Sequence, residues 1–242
     1  MKPNNTTTAP TVLSKTTLLL MATACGLCAG ANYFNQPLLN SMVQHLHISD
    51  AQASSTVTMA QVSYGLGLLF LVPLGDMLER RRLVLVLMLL AACGMLLSGI
   101  SGLAGSFALL AAGTLMAGVF SVAAQVLVPM AATFAAPGTS GRAVGLVMSG
   151  LLIGILASRS VAGILSDLGG WSTVYWVGAV STALMAVLLA RALPSAAPAT
   201  PVSYGAVMKS LGELLRQHPR LRSRALIGGT GFATVSVLFS TM

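Results

Sequence analysis

This sequence is poor in charge. Only 7% of its 242 residues are charged, where soluble domains carry about 25%. A chain this poor in charge and 55% hydrophobic would precipitate in water, so its solvent is a lipid bilayer. The net charge of +8 does not point to nucleic acid: the bases lie in short clusters between apolar runs, with no basic face interleaved with aromatic residues. There are three cysteines: Cys25, Cys28 and Cys93, all within apolar segments. Their odd number and placement argue for buried thiols rather than disulfides. No glycine-rich phosphate loop supports ATP drive. No histidine lies in any apolar run, so Ser149 in V-M-S-G has no base to activate it, and a membrane-embedded enzyme is disfavoured. His45-x-His47 lacks a third ligand, so no metal is expected there, and no cofactor elsewhere.

What the sequence does have is long apolar runs. About 20 such residues cross a bilayer as a helix. Six runs qualify, at roughly 16–38, 53–75, 83–102, 107–132, 143–166 and 172–191, and part of a seventh occupies 225–242. They are apolar on most faces, unlike the amphipathic helices of one soluble core. Lys15 followed by T-T-L-L-L-M-A-T-A-C-G has the layout of a signal peptide, but the run continues past Cys28 and reads as an uncleaved first span.

Of thirteen bases, twelve fall on alternate loops. Lys2 and Lys15 precede the first span. Arg80, Arg81 and Arg82 lie between the second and third, and Arg142 between the fourth and fifth. Arg191, Lys209, Arg216, Arg220, Arg222 and Arg224 lie between the sixth and seventh. The intervening loops carry none. The positive-inside rule then predicts a cytoplasmic N-terminus and a multi-pass protein of the cell's inner membrane. Loop lengths divide the chain: a disordered tail over 1–14, a six-span bundle over 15–191, a cytoplasmic linker over 192–224 and an incomplete span over 225–242. Pro194, Pro198 and Pro201 interrupt the linker's start. Beyond them Val207, Leu211, Leu214 and Leu215 share one helical face, as in a helix lying at the inner interface or in a solvated linker.

Residues 71–82, L-V-P-L-G-D-M-L-E-R-R-R, join the second and third runs. They resemble the signature of the major facilitator superfamily, roughly G-x-L-A-D-x-x-G-R-R/K. Leu74, Asp76, Arg80 and Arg81 match, Gly75 stands in for the small alanine, and Val72 and Glu79 depart from its two glycines. Gly145, Gly154 and Gly163 resemble the family's glycine-rich antiporter motif, with Ser158-Arg159 in place of its Gly-Pro. The resemblance implies an all-α membrane protein: a six-helix transmembrane bundle built as a 3+3 inverted repeat, plus the start of a seventh span. That is the N-terminal half of a twelve-span transporter of the drug or sugar efflux type. It implies secondary transport of small molecules by alternating access, with the turn at Gly75, Asp76, Arg80 and Arg81 gating the cytoplasmic side. The implied partners are a small-molecule substrate, lipid, a proton and the second half of the fold. The alternative is a truncated, transport-inactive remnant.

Polar groups inside hydrocarbon are costly, so each needs a reason. Asn32, Asn35 and Gln36 are spaced to share one helical face beside Tyr33, ahead of Pro37, which ends or kinks the helix. Gln61 and Tyr64 lie on the second run and Gln125 on the fourth, four residues before Pro129. Each either lines a polar cavity or bonds a neighbouring helix. Efflux members of the family carry an acid near the position of Asn32 and an arginine in the fourth span; here the first is neutral and the second missing. Gly150, Gly154, Ser158 and Ala162 form a stripe of small residues for close helix packing, which by resemblance faces the second bundle. Arg159, the thirteenth base, lies inside the fifth run. It either snorkels to headgroups or acts as a cavity cation. Trp171, Tyr175 and Trp176 are read as an interfacial aromatic belt.

Overall fold

Ser14 caps the first helix by accepting from the Thr17 N–H at 3.0 Å, which satisfies one of the donors that a helix start leaves open. The described residues then run through ten α-helices: α1 Lys15–Gly30, α2 Leu39–Leu46, α3 Asp50–Phe70, α4 Arg80–Ala104, α5 Phe107–Phe120, α6 Ala123–Thr133, α7 Ser140–Gly169, α8 Trp171–Ala192, α9 Tyr204–Gln217 and α10 Pro219–Thr241. This computed structural model describes residues 13–195 and 203–241, and no strand occurs among them. Most of the expected disordered tail, and the linker's Pro198 and Pro201, lie outside the described residues.

Among the described residues, five segments are long and apolar enough to cross a membrane: Asp50–Asp76, Arg80–Ala104, Phe107–Thr133, Ser140–Gly169 and Trp171–Ala192. The run expected at 16–38 is not one helix. Its apolar helix ends at Gly30, the backbone tightens through turns at 31–35, and a 3₁₀ turn at Gln36–Leu38 leads into α2. Within that break the Tyr33 N–H donates to the Gly30 carbonyl at 2.9 Å, a span of three residues rather than four. Pro37 has no N–H to give an α-helix and disfavours helical geometry at Gln36, but the helix has already ended before it. The run expected at 107–132 is also broken, between α5 and α6 at Ser121 and Val122.

By contacts the chain divides into two units, Met1–Ala197 and Pro198–Met242. In the first, α1 packs on α7, α4 lies between α5 and α8, and α3 packs on α5. One apolar cluster gathers Met21, Cys25, Leu87, Leu127, Met130 and Leu189. The other gathers Phe34, Met42, Met95, Leu110, Trp171 and Tyr175. The sharp reversals are set by Gly105 at φ 61° after α4 and Gly170 at φ 82° between α7 and α8. Such backbone is open to glycine and strained for most other residues. In the second unit α9 is the helix expected within the linker. The run expected at 225–242 lies in α10, which starts earlier, at Pro219.

The spans differ in how far the bundle covers them. The apolar stretch of α4 is 56% buried, that of α3 17% and that of α7 11%. On α7, Leu152, Ile153, Leu156 and Ile164 stand out from the bundle.

Candidate functional site

The two broken spans meet at their breaks. The Asn32 side-chain amide donates to the Ser121 hydroxyl at 2.9 Å, and that hydroxyl donates to the Gly118 carbonyl at 3.0 Å. Ser121 itself is buried, at the α5–α6 junction. Asn35, also buried, accepts from the Tyr175 hydroxyl on α8 at 2.5 Å and donates to the Thr56 carbonyl on α3 at 3.4 Å. These two carboxamides are consumed inside the bundle.

The other polar residues are half-buried and reach the same region from different elements. Arg159 on α7 donates from Nε to the Gln36 Oε1 at 2.9 Å, and an Nη2 hydrogen is directed at the same oxygen. Tyr33 hydrogen-bonds the Gln61 side chain on α3. Gln125 on α6 donates from Nε2 to the Tyr64 hydroxyl at 3.1 Å. Pro129 sits inside α6. Lacking an N–H, it leaves the Gln125 carbonyl without its usual helical partner. Tyr33, Gln36, Gln61, Tyr64, Gln125 and Arg159 thus form a polar patch around the breaks.

This corrects the expectation that Asn32, Asn35 and Gln36 share a face. Their spacing implies one face only on a continuous helix, and the helix stops at Gly30. Asn32 turns to the α5–α6 junction, Asn35 to α3 and α8, and Gln36 to α7. Nor are Trp171 and Tyr175 a surface belt: both are buried, their rings meet edge-on, and the Trp171 indole donates to His45 Nδ1 at 3.3 Å. The partners Ser121, Thr56 and Tyr175 were missed in the sequence. The available signal was that a tyrosine hydroxyl buried in an apolar bundle needs an acceptor.

The small-residue stripe also faces elsewhere than expected. A Cβ at Gly26 would lie 2.7 Å from the Gly150 carbonyl oxygen, and one at Gly30 would lie 3.1 Å from that of Gly154. A Cβ at Gly154 would collide with the Gly26 backbone. Gly150, Gly154 and Ser158 therefore seat α7 against α1 of the same bundle, backbone on backbone. Gly145 and Gly163 do not take part, since nothing lies within 4 Å of a Cβ at either.

At the far end of α3, Val72–Asp76 form a 3₁₀ turn. Arg80 closes it, donating from Nε to the Gly75 carbonyl at 3.1 Å and pairing with Asp76 at 3.4 Å. Gly75 is buried, yet a Cβ there would meet Val126 at 3.6 Å, an ordinary contact, so an alanine fits. The Asp76 side chain is 66% exposed. Glu79 pairs with Arg82 at 2.7 Å and accepts from the Ser195 hydroxyl at 2.7 Å. Arg81 is half-buried. Among the described residues no group of three potential metal ligands forms.

The sequence profile of the Major Facilitator Superfamily matches residues 21–242. The chain belongs to that superfamily. It is 47% identical over 230 residues to the Escherichia coli O157:H7 protein named "Uncharacterized transporter YgaY", covering 95% of this chain and 58% of the relative. It is 30% identical over 177 residues to "Probable transporter SCO4007" of Streptomyces coelicolor, covering 73% of this chain and 40% of the relative. The chain therefore spans about half the length of the curated relatives it matches. Among solved structures, a POT family transporter in complex with a thioalcohol-conjugated peptide aligns with a TM-score of 0.56 at 14% identity, over 92% of this chain and 47% of that one. A peptide transporter POT in complex with sulfate aligns at 0.54 and 16% identity, over 92% and 45%. At such identities these two show the fold alone. The chain is a multi-pass membrane protein of a transporter family, which gives no reason to expect an enzyme.

Proposed function

We propose that this chain supplies the first six-span bundle of a secondary transporter that exports small molecules by alternating access. In this reading α1 with α2 makes the first span, α5 with α6 the fourth, and α10 begins the seventh after the linker. The observation that carries it is the convergence of six half-buried polar side chains, from the first span's break and from α3, α6 and α7, on paired breaks in the first and fourth spans. Irregular backbone at membrane depth is tolerated where it is buried in protein or lines a water-filled cavity. Broken helices at corresponding positions of two repeats point to a binding site. The pairing of the first span's break with the fourth's supports the 3+3 inverted repeat.

The arginine-rich turn belongs on the cytoplasmic side, with the N-terminus, and exposed Asp76 is the group offered to the second bundle at the inner gate. Export and proton coupling rest on the resemblance to efflux members. The polar patch holds no carboxylate, so in this reading the proton-carrying acid belongs to the second bundle.

The test is transport in proteoliposomes by the 242-residue chain and by the same chain continued with the remaining portion of the E. coli relative. The expected result is saturable, gradient-driven movement of efflux substrates by the continued chain and none by the shorter one. Saturable transport by the shorter chain would overturn the half-transporter reading. No transport by either would favour the inactive remnant.

A further inference from the structure

We propose that Lys15 and Arg142 form the headgroup end of a binding site for an anionic phospholipid, with one of its acyl chains lying between α1 and α7. The site needs only that the bundle sits in a bilayer, so it stands apart from the transport reading.

Local bonds bring the two bases to one place. Lys15 is the first residue of α1 and Arg142 the third of α7. Just ahead of α1, the Leu13 N–H donates to the Phe134 carbonyl at the end of α6, at 3.1 Å. Beyond Phe134 the chain turns through Gly138 at φ 78°. The Ser140 hydroxyl then donates back to the Ala132 carbonyl on α6 at 3.3 Å. The starts of α1 and α7 are thereby held against the same end of α6. Between them lies a cavity of 660 Å³, lined by Lys15 and Arg142 together with Leu18, Leu19, Ala143 and Leu146. Both bases are exposed. Thr139 also borders the cavity, and its hydroxyl donates to the Ala136 carbonyl at 2.8 Å instead of capping α7. The positive end of that helix dipole therefore lies at the same mouth.

Long basic side chains at span ends sit at the level of the headgroups. Each is worth about fivefold in attraction to anionic lipid. A second cavity, of 360 Å³, continues from the first, since Leu19 lines both. It follows the α1–α7 seam past Ala22, Leu27, Ile153 and Val161. Its two hydroxyls are spent on their own helices: Thr23 donates to the Leu19 carbonyl at 3.0 Å and Ser158 to the Ile155 carbonyl at 2.7 Å. Hydrocarbon suits such a lining. From Leu18 on the first cavity to Gly30 on the second is twelve residues of α1, roughly 18 Å along the axis. One leaflet of the hydrocarbon core is about 15 Å deep. A basic mouth at headgroup level and an apolar trough about one leaflet long match the two ends of one molecule, a phosphodiester and its acyl chain. A free phosphate or an acidic side chain would meet the mouth and leave the trough unfilled.

The test titrates the delipidated 242-residue chain in detergent with phosphatidylglycerol, with phosphatidylcholine of the same acyl chains and with glycerol 3-phosphate, and reads bound lipid by native mass spectrometry. The first phosphatidylglycerol should bind about tenfold or more tightly than the first phosphatidylcholine, and glycerol 3-phosphate should not displace it. Lys15→Gln and Arg142→Gln should each cut the preference about fivefold, and Arg142→Lys should keep most of it. Arg191→Gln removes a base from the last turn of α8 and should leave the preference unchanged, as should Glu213→Gln. Should a Gln variant fail to accumulate, the ranking by the unmodified chain and by Arg142→Lys still decides. Equal binding of the two lipids, an equal loss from Arg191→Gln, or displacement by glycerol 3-phosphate would each overturn the proposal. So would a preference that appears only in Glu213→Gln, which would give the bases to the chain's own acid. A preference lost on continuing the chain with the relative's remaining portion would give the trough to the second bundle and overturn it too. Transport plays no part in this assay, so either reading can fail alone.

Discussion

Two regions on the same pair of elements do opposite things. Along the α1–α7 seam, Gly26, Gly150 and Gly154 bring backbone against backbone with no room for a methyl group, and Gly30 is only slightly less tight. About one turn further on, Gln36 and Arg159 bridge the same elements with long side chains that are half exposed. Lipid offers no hydrophobic drive to join helices, so close van der Waals packing must hold them. The seam is the rigid part. The polar bridge beyond it fastens the Arg159 guanidinium to the Gln36 side chain. A seam that cannot shift is what allows a long arginine to be placed reproducibly.

The largest effect should come from filling the seam. Gly154→Leu forces a side chain into the Gly26 backbone, and overpacking of this kind typically costs 1–3 kcal/mol, about 3 or more where neither backbone can yield. Thermal unfolding in detergent should show loss of monodisperse protein or a large fall in midpoint. Gly145→Leu, on the open side of the same helix, should change stability by no more than about 1 kcal/mol. Equal damage from both would break the comparison.

A smaller effect belongs to the carboxamides that tie the breaks together. Asn32→Ala removes the donor to Ser121, at about 1 kcal/mol for an interhelical bond in a membrane. Gln61→Ala, on the half-exposed patch, should cost only a few tenths of that scale in stability while reducing transport by the continued chain severalfold. Comparing unfolding midpoints with transport rates for the two variants separates scaffold from site. If Gln61→Ala lowers the midpoint more than Asn32→Ala does, the division is wrong.

The smallest stability change is expected at the arginine-rich turn. The exposed Asp76–Arg80 pair is worth about 0–1 kcal/mol, so Asp76→Asn should accumulate normally in the membrane. In the continued chain it should abolish most transport if Asp76 serves the inner gate. Loss of protein from the membrane would assign it a folding role instead.

Much of the architecture was legible. Run lengths and the alternating bases define the apolar segments, and the turn carrying Asp76, Arg80 and Arg81 points to the superfamily whose profile covers residues 21–242. The site was legible by residue type and less so by direction. Spacing assigns faces only on an unbroken helix, and nothing local announces that α1 stops at Gly30, seven residues before Pro37. The break at Ser121 lies in an equally apolar run, where serine is compatible with a continuing helix. For the same reason Tyr175 looked interfacial: its acceptor, Asn35, is distant in sequence and points to it only because the first span has unwound. The stripe was recognised by its period of four. Its partner could not be, since α1 offers Gly26 and Gly30 in the same spacing as any small pair.

The division between sealed scaffold and open site is tested most directly by cysteine accessibility. With Cys25, Cys28 and Cys93 replaced by alanine, single substitutions Asn32→Cys, Asn35→Cys, Tyr33→Cys, Gln61→Cys and Gln125→Cys are exposed in lipid vesicles to a charged, water-soluble maleimide. The expected result is rapid labelling at Tyr33, Gln61 and Gln125 and none at Asn32 and Asn35. Labelling of Asn32 as fast as Gln61, or no labelling at Gln61, would contradict a water-accessible polar patch resting on a sealed pair of helix breaks.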